Sequence, residues 1–360
     1  MSKCSGRGHI GGTMKAKKAM ALILAGALCA SVFTGCGINK NATAATMKNQ
    51  TVTMGVANFL CRYEQAAMED LYKMYLGGSG STDNIWSKDL SGNGTTLEDS
   101  TKDQAMEELH EMYTLQQHMS DYNVEITDDD KAAIKEAAQK FISANSKEAL
   151  DEMGATEDVV EEVLTLYTIR NKMKTAIEAD ADTNVSDEEA NMRAYSMVSL
   201  DISEGSDNAD ANKKIADKME AALKEDGATL DKVAQDNDQK VTTGTYDADN
   251  DTLDEDVKKA LDGLKEGETS GLIETSDKAY FVRIDKDTDE EATKQNRTTI
   301  INQRKDDLYQ EVLSGWQKDD NWKVDEKAIK KIEFKNSLTH QDPNASTEST
   351  TGTENAESTQ

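Results

Sequence analysis

The segment 264-LKEGETSGLIET-275, followed by 280-YFVRI-284, decides how the second half of the chain is interpreted. Gly267 stands in a polar stretch, and glycine there favours a tight turn because it adopts backbone angles that are closed to other residues. The apolar residues that follow form short runs bounded by polar residues, as strands do. We therefore expect a turn at Gly267, a strand near 272–275 and another at 279–285.

Further strands and helices are predicted upstream of this segment. Residues 195–202 alternate apolar and polar side chains, which indicates a half-buried strand. Apolar residues at helical spacing then predict three helices, and a short strand is expected between the second and third. These lie near 215–223, 230–234, 240–243 (the strand) and 253–264. The order strand, helices, strand, helix and two strands predicts a small α+β domain over 185–289.

The quoted segment resembles the closing half of a parvulin-type, PpiC-like prolyl isomerase domain. Its most specific part is Lys-x-Gly-Glu-x-Ser at 265–270. Residues 227–234 resemble the helix that follows the first strand of that family, and 244–246 resemble its glycine-aromatic turn. The resemblance covers about 185–290.

The catalytic positions of that family are degenerate in this chain. The resemblance implies one histidine in the first strand, where Ser196 or Met197 stands, and one in the last, where Tyr280 stands. The family's aspartate before the glycine-aromatic turn aligns with Thr242. No other histidine is near enough in sequence to substitute. The four are His9, His110, His118 and His340.

Two functions follow from the resemblance. The first is a chaperone whose parvulin-like domain binds polypeptide without catalysis, with substrate-binding candidates at Tyr246, Leu253, Val257 and Phe281. The second is a divergent but active isomerase that uses Ser196, Thr243 and Tyr280, since twisting a prolyl bond needs no proton transfer in principle. A third interpretation, independent of the resemblance, is an unrelated envelope-assembly or solute-binding lipoprotein.

The segments on either side of this domain are predicted to be helical. Residues 51–180 carry four amphipathic patterns with apolar residues three and four apart, and 290–334 continue with another. A parvulin-like domain inserted between such segments resembles the PrsA-type foldase lipoproteins and their SurA-like relatives, in which both ends of the chain form one chaperone module. Residues 335–360 are rich in Ser, Thr, Asn and Glu and are expected to be disordered.

Methionine is frequent in the predicted helical module. Such side chains let a surface repack around varied clients, but at helical spacing they also fill cores, and the latter is favoured position by position. The eight are Met54, Met68, Met74, Met106, Met112, Met119, Met153 and Met173.

The N-terminus is interpreted as a lipoprotein signal peptide over residues 1–35. Lys15, Lys17 and Lys18 precede the apolar run 19–33, which is too short to span a bilayer. Small residues then lead to Cys36, the expected lipidated residue of the mature protein. Ordinary secretion with an incidental cysteine is the alternative, and Met14 is a second candidate start. Residues 36–50 are predicted to be a linker.

Charge and cysteine content limit the partners. Residues 1–35 contain five of the 41 basic side chains and none of the 69 acidic ones, so the remainder has a net charge of −33. Such a chain repels nucleic acid and anionic membrane surfaces. We expect unfolded or nascent secreted polypeptides as partners, the outer face of the cell membrane as location through the lipid, and no cofactor. Cys61 remains as a single thiol in an apolar helical context and is predicted to be buried.

Metal and hydrolase sites are not supported by the sequence. Asp247, Asp249 and Asp251 alternate as in a calcium loop, but Thr252 stands where that loop needs glycine. His110 and His118 are about two helical turns apart and cannot share one metal ion. No Ser-His-Asp arrangement, cysteine pair or glycine-rich phosphate loop is present.

Overall fold

A computed structural model describes the backbone of residues 28–30 and residues 38–48, 50–75, 85–247 and 252–340. The rest of the predicted signal peptide, Cys36, Asp249, Asp251 and residues 341–360 lie outside the described residues. The chain divides into one unit of residues 1–180 and 308–360 and another of 181–307. Within the described ranges, no helix combines the length and the hydropathy that crossing a membrane requires.

The first unit is mainly helical. Its helices are α1 (Met54–Tyr75), α2 (Leu97–Gln117), α3 (Asp128–Ala144), α4 (Lys147–Met153) and α5 (Glu157–Glu178). Thr127 caps α3 through a capping box with Asp130, because each side chain bonds the other's backbone N–H. The helices enclose a core that contains Trp86, whose ring meets Phe334 edge-on at 4.8 Å.

A small sheet corrects the predicted linker at 36–50. Strands β2 (Thr43–Met47) and β3 (Gln50–Thr53) form an antiparallel hairpin, and β8 (Lys323–Val324) pairs with the other edge of β2. Ala44, Ala45 and Met47 are completely buried. Three small or flexible apolar residues make too short a pattern to recognise, and the strand forms because a distant segment covers its edge.

The C-terminal end also differs from the prediction, which placed disorder from residue 335. Strand β9 (Leu338–His340) pairs antiparallel with β1 (Leu28–Ala30), and Leu338 is fully buried. A helix, α11 (Glu326–Ile329), precedes it. The composition of this stretch is that of a disordered tail, but α1 supplies hydrogen-bond partners that order it.

The second unit has the predicted element order. Its elements are α6 (Asp187–Ala190), β4 (Arg193–Asp201), α7 (Ala209–Leu223), α8 (Leu230–Asp236), β5 (Thr242–Tyr246), α9 (Glu255–Gly263), β6 (Ile273–Glu274) and β7 (Lys278–Lys286). The strands form one antiparallel sheet in the order β5-β4-β7-β6. The predicted α+β class is confirmed.

Helix α10 (Glu290–Gln317) follows the sheet and continues from the second unit into the first. Its early residues bond within the second unit, where Arg297 donates to the carbonyl of Val185 and Arg304 donates to that of Asn184. Its last turns bury Tyr309 and Leu313 in the first unit.

Methionine in the first unit mostly fills the core. Met54, Met106, Met112, Met153 and Met173 are buried, whereas Met74 is 73% exposed. The favoured interpretation of these methionines as core residues therefore applies to most of them.

Candidate functional site

The candidate site lies on one face of the second unit's sheet. Successive side chains of a strand point to opposite faces, so the register of β4 against β7 assigns each residue to a side. Val198 stands opposite Phe281 and packs with it against α7 and α8. Met197 stands opposite Val282, and both contact the apolar cluster of α9.

We call the α9 side of the sheet the tyrosine face. It is formed by Tyr195, Met197, Thr242, Tyr246 and Tyr280. Tyr246 and Tyr280 are almost completely buried, Tyr195 and Met197 are half-buried, and Thr242 is exposed. The solvent exposure of the side chains on this face therefore increases from Tyr246 and Tyr280 to Thr242.

Tyr280 occupies the position aligned with the family's second histidine. Its phenol donates a hydrogen bond to the carboxylate of Asp254, the residue before α9. Burial and this neighbouring carboxylate raise the pKa of Tyr280 well above its usual range. The phenol is thus neutral at physiological pH, and its proton is engaged by Asp254.

Tyr246 is held by a second polar cluster. Its hydroxyl accepts from Arg193 at 3.1 Å and lies 3.2 Å from Asp262 Oδ1. Arg193 also donates to the carbonyls of Leu261 and Leu264 at 2.8 and 2.6 Å, where α9 ends. Burial raises the pKa of Tyr246 although Arg193 opposes the shift. These bonds fix the strand and the end of the helix to each other.

Gly244 is a point of close approach within β5, not a turn as the resemblance implied. It pairs with Tyr195, whose ring lies over it. A Cβ at this position would be 2.7 Å from the Tyr195 hydroxyl oxygen and 2.8 Å from the ring carbon Cζ. Glycine is therefore required if Tyr195 is to keep this rotamer, in which it meets Tyr246 edge-on at 5.9 Å.

Ser196 is on the other face of the sheet. It is 2% exposed and donates to Asp285 at 2.5 Å, while Arg283 donates to its hydroxyl at 3.2 Å. Thr243 stands opposite Ser196 and shares that face. The hypothesis of one site formed by Ser196, Thr243 and Tyr280 is wrong, because the sheet separates the first two residues from the third. Of the two alternatives for the first histidine position, only Met197 shares a face with Tyr280.

The substrate-binding candidates are divided in the same way. Leu253, Val257 and Tyr246 belong to the cluster on the tyrosine face. Phe281 is completely buried among α7 and α8 and is wrong as a substrate contact, because the strand alternation turns it away. Asp254 and Arg193 were missed by sequence reasoning, since neither belongs to a recognised motif.

His110 and His118 of the first unit have structural partners. His110 Nε2 lies 2.6 Å from Asp320 Oδ2, and its ring stacks on Trp322. His118 Nδ1 lies 2.6 Å from Asp121 Oδ2. In the second unit, Asp247 accepts from Asn296 at 3.3 Å. The described residues contain no group of three or more side chains that could hold a metal ion.

The ionisable groups beside the tyrosine face, Asp254, Asp262 and Arg193, are hydrogen-bonded to its tyrosines. The solvent-accessible part of this face consists of the half-buried Tyr195 and Met197 and the exposed Thr242, whose hydroxyl donates to the Met197 carbonyl at 3.1 Å. Residues 188–295 contain no histidine. Such a surface suits an extended peptide held by packing and backbone hydrogen bonds.

The PPIC-type PPIASE domain family matches residues 188–295. No curated protein matches the chain significantly. Among solved structures, foldase protein PrsA from Lactococcus lactis is 16% identical, with 81% of this chain and 97% of that chain covered at a TM-score of 0.32.

Two other solved structures are similar at the same low level. A structure reported for PEB4 and Cj1289, described as SurA-like chaperones of Campylobacter jejuni, is 12% identical over 79% of this chain and 99% of that one, with a TM-score of 0.29. PrsA from Bacillus subtilis is 16% identical over 70% and 98%, with a TM-score of 0.21. Scores this low do not establish a shared overall arrangement, so the family assignment rests on the sequence match. Residues 188–295 therefore match the PPIC-type PPIASE domain family, and the predicted resemblance to the parvulin-type family is confirmed for that part of the chain.

Proposed function

We propose that this protein is a lipid-anchored extracytoplasmic chaperone that binds unfolded secreted polypeptides, and that its PPIC-type domain holds proline-containing segments without efficient catalysis. The observation that carries the proposal is the tyrosine face. Where the family has two imidazoles, this chain has Met197 and Tyr280. The phenol of Tyr280 donates a hydrogen bond to the Asp254 carboxylate. The half-buried side chains of Tyr195 and Met197 keep apolar area for binding, and no imidazole stands beside them to stabilise a twisted imide.

The charge of the chain supports this role. A net charge of −33 after residue 35 keeps complexes with unfolded chains soluble and favours clients with basic segments. The expected tether is a diacylglyceryl group on Cys36, which would place the two units outside the membrane. Replacing Cys36 by Ser should then move the protein from the membrane fraction to the soluble fraction.

The test of the proposed function is the refolding of a client whose slow step is prolyl isomerisation, with residues 37–360 added at substoichiometric and at stoichiometric amounts. We expect no acceleration at substoichiometric amounts and reduced aggregation at stoichiometric amounts. A proline-free client should also be protected if, as we propose, the first unit also binds unfolded chains.

Acceleration at substoichiometric amounts would instead identify a divergent isomerase. Tyr280→Phe is the matched variant for that outcome, since it removes the hydroxyl and keeps the ring. The absence of both acceleration and protection would contradict the proposal. It would leave the interpretation as an unrelated envelope-assembly or solute-binding lipoprotein.

A further inference from the structure

The pairing of β1 with β9 joins a segment of the predicted signal peptide to the C-terminal part of the first unit. Leu28 pairs with His340, Cys29 with Thr339, and Ala30 with Leu338, all antiparallel. β1 also lies beside α4. If the chain is cleaved before Cys36, as proposed above, β1 leaves and the edge of β9 loses its partner.

β9 does not depend on β1 for its position, because α1 holds its other edge. Glu69 is 1% exposed, and its carboxylate accepts from the Leu338 backbone N–H at 2.9 Å and from the Ser337 hydroxyl. Gln65 donates to the carbonyl of Asn336 at 2.8 Å. The strand is therefore anchored to α1 through the buried polar side chains on one side of that helix. We call these side chains, Asn58, Arg62, Gln65 and Glu69, the polar stripe of α1.

The same contacts show which backbone groups of β9 face β1. The Leu338 N–H points towards Glu69, and backbone groups of successive strand residues point in opposite directions. Thr339 is thus the residue that exchanges ladder hydrogen bonds with Cys29. Removal of β1 leaves the N–H and carbonyl of Thr339 as an open template for another strand.

The buried polar stripe of α1 also reaches the opposite wall, α4. Asn58 donates to the carbonyl of Glu152 at 3.1 Å, and Arg62 donates to the Glu152 carboxylate. Two atoms of the stripe, Asn58 Oδ1 and Arg62 Nε, are buried without a hydrogen-bond partner in the described part of the chain.

We propose that the space between β9 and α4, here called the β9 slot, takes an extended apolar segment of an unfolded secreted polypeptide as an added strand after β1 has been cleaved away. This inference rests on the proposed function and on the proposed cleavage, and it names a binding surface in the first unit, separate from the tyrosine face. Residues 28–30 of the chain pair with β9 in the way that we propose for the added strand.

The chemistry of the slot matches such a client. Strand addition uses main-chain hydrogen bonds, which every polypeptide offers, so recognition tolerates varied sequences. Leu338 and Met153 on the two walls belong to one apolar cluster, which favours apolar side chains in the added strand. A pairing of three residues gives weak binding, and weak binding permits release of the client.

The experiment measures binding of a fluorescein-labelled peptide with the sequence of residues 25–33, carrying Cys29→Ser, to the chain 37–360 by fluorescence anisotropy. We expect saturable binding. Thr339→Pro removes the ladder N–H while leaving Leu338 extended, and should weaken binding about three- to tenfold, the effect of one backbone hydrogen bond. Thr339→Val keeps the N–H and should bind as the parent does.

A second comparison does not depend on whether the Thr339→Pro variant folds. In residues 25–360 the tethered β1 competes at an effective concentration of about 1 mM, so the labelled peptide should bind more weakly than to 37–360. Absence of peptide binding to 37–360, or equal affinity for the parent, Thr339→Pro and 25–360, would overturn the inference.

Protection of an aggregating client, measured on the same proteins, separates this inference from the proposed function. Full protection by the parent together with no peptide binding would refute the β9 slot and leave the chaperone role intact. No protection by any of the proteins would refute the proposed function, and peptide binding that responds to Thr339→Pro would then still establish the slot.

Discussion

Glu69→Ala should destabilise the first unit more than any exposed substitution in it. The buried carboxylate of Glu69 accepts hydrogen bonds from Gln65 at 2.7 Å, Trp86 Nε1 at 3.0 Å, the Leu338 N–H at 2.9 Å and the Ser337 hydroxyl. It thereby joins α1 to two segments that are distant in sequence. Alanine at this position leaves donors without an acceptor in a region that water does not reach.

The magnitude follows from how many donors can find another partner. Gln65 retains the Asn336 carbonyl, and the Ser337 hydroxyl can rotate, so Trp86 Nε1 and the Leu338 N–H remain unpaired. Each such buried group costs about 1–3 kcal/mol. Removing a buried charge returns part of its desolvation energy. We expect a loss of about 3 kcal/mol in the free energy of unfolding.

Equilibrium unfolding in urea, followed by tryptophan fluorescence, measures this loss. With a slope near 2 kcal/mol/M, the midpoint should fall by about 1.5 M. Glu107 is exposed on α2, so Glu107→Ala is the matched control and should stay within about 0.5 kcal/mol of the parent. Equal stability of the Glu69 and Glu107 variants would refute the reasoning that this carboxylate orders the C-terminal segment. Faster hydrogen exchange at Leu338 should accompany the loss of stability.

Three further outcomes are expected. Burial raises the pKa of the Cys61 thiol from 9.0 to about 12, so the thiol should resist disulfide reagents at pH 8 until urea is added. The contribution of the neutral thiol to the free energy of unfolding is complete below pH 9 and is lost as the pH rises towards 12. Cys61→Ala should remove that loss at alkaline pH. Rapid labelling of the native protein would contradict the burial. The Arg283 guanidinium lowers the pKa of Asp231, so Arg283→Gln should raise that pKa in an NMR titration. Because folding lowers the pKa of Asp231, its contribution is present above its unfolded pKa of about 3.9 and is lost as the pH falls, and the two proteins should therefore converge in stability at low pH. Gly244→Ala should cost about 1–3 kcal/mol by overpacking against Tyr195, and a double-mutant cycle with Tyr195→Ala should show coupling; additive effects would contradict the close approach.

Much of the architecture was predictable because it depends on short-range patterns. The capping box at Thr127 and Asp130, the helical spacing of apolar residues in α1, α2, α3 and α5, and the strand pattern of β4 and β7 are all read from neighbouring residues. The segment around Gly267 also indicated which family the second unit resembles, and the match of residues 188–295 confirms that resemblance.

The site was predictable only in part, because a face of a sheet is decided by register. Sequence alone left Ser196 and Met197 as alternatives, and these neighbours point to opposite sides of β4. Only the pairing of β4 with β5 and β7 showed that Met197, Thr242 and Tyr280 share a face and that Ser196 does not. Asp254 became relevant only when the fold placed it against Tyr280, 26 positions away in sequence.

By itself, then, the sequence determined the α+β class, the order of elements in the second unit, the absence of histidine from it and the strongly acidic character of the chain. The tertiary structure decided which residues share the tyrosine face and that β2 and β9 exist at all. The physical reason is range: helix periodicity and caps are interactions over three or four residues. β2 is stable because β8 covers it, and β9 because a buried carboxylate on α1, 269 positions away, accepts its backbone N–H.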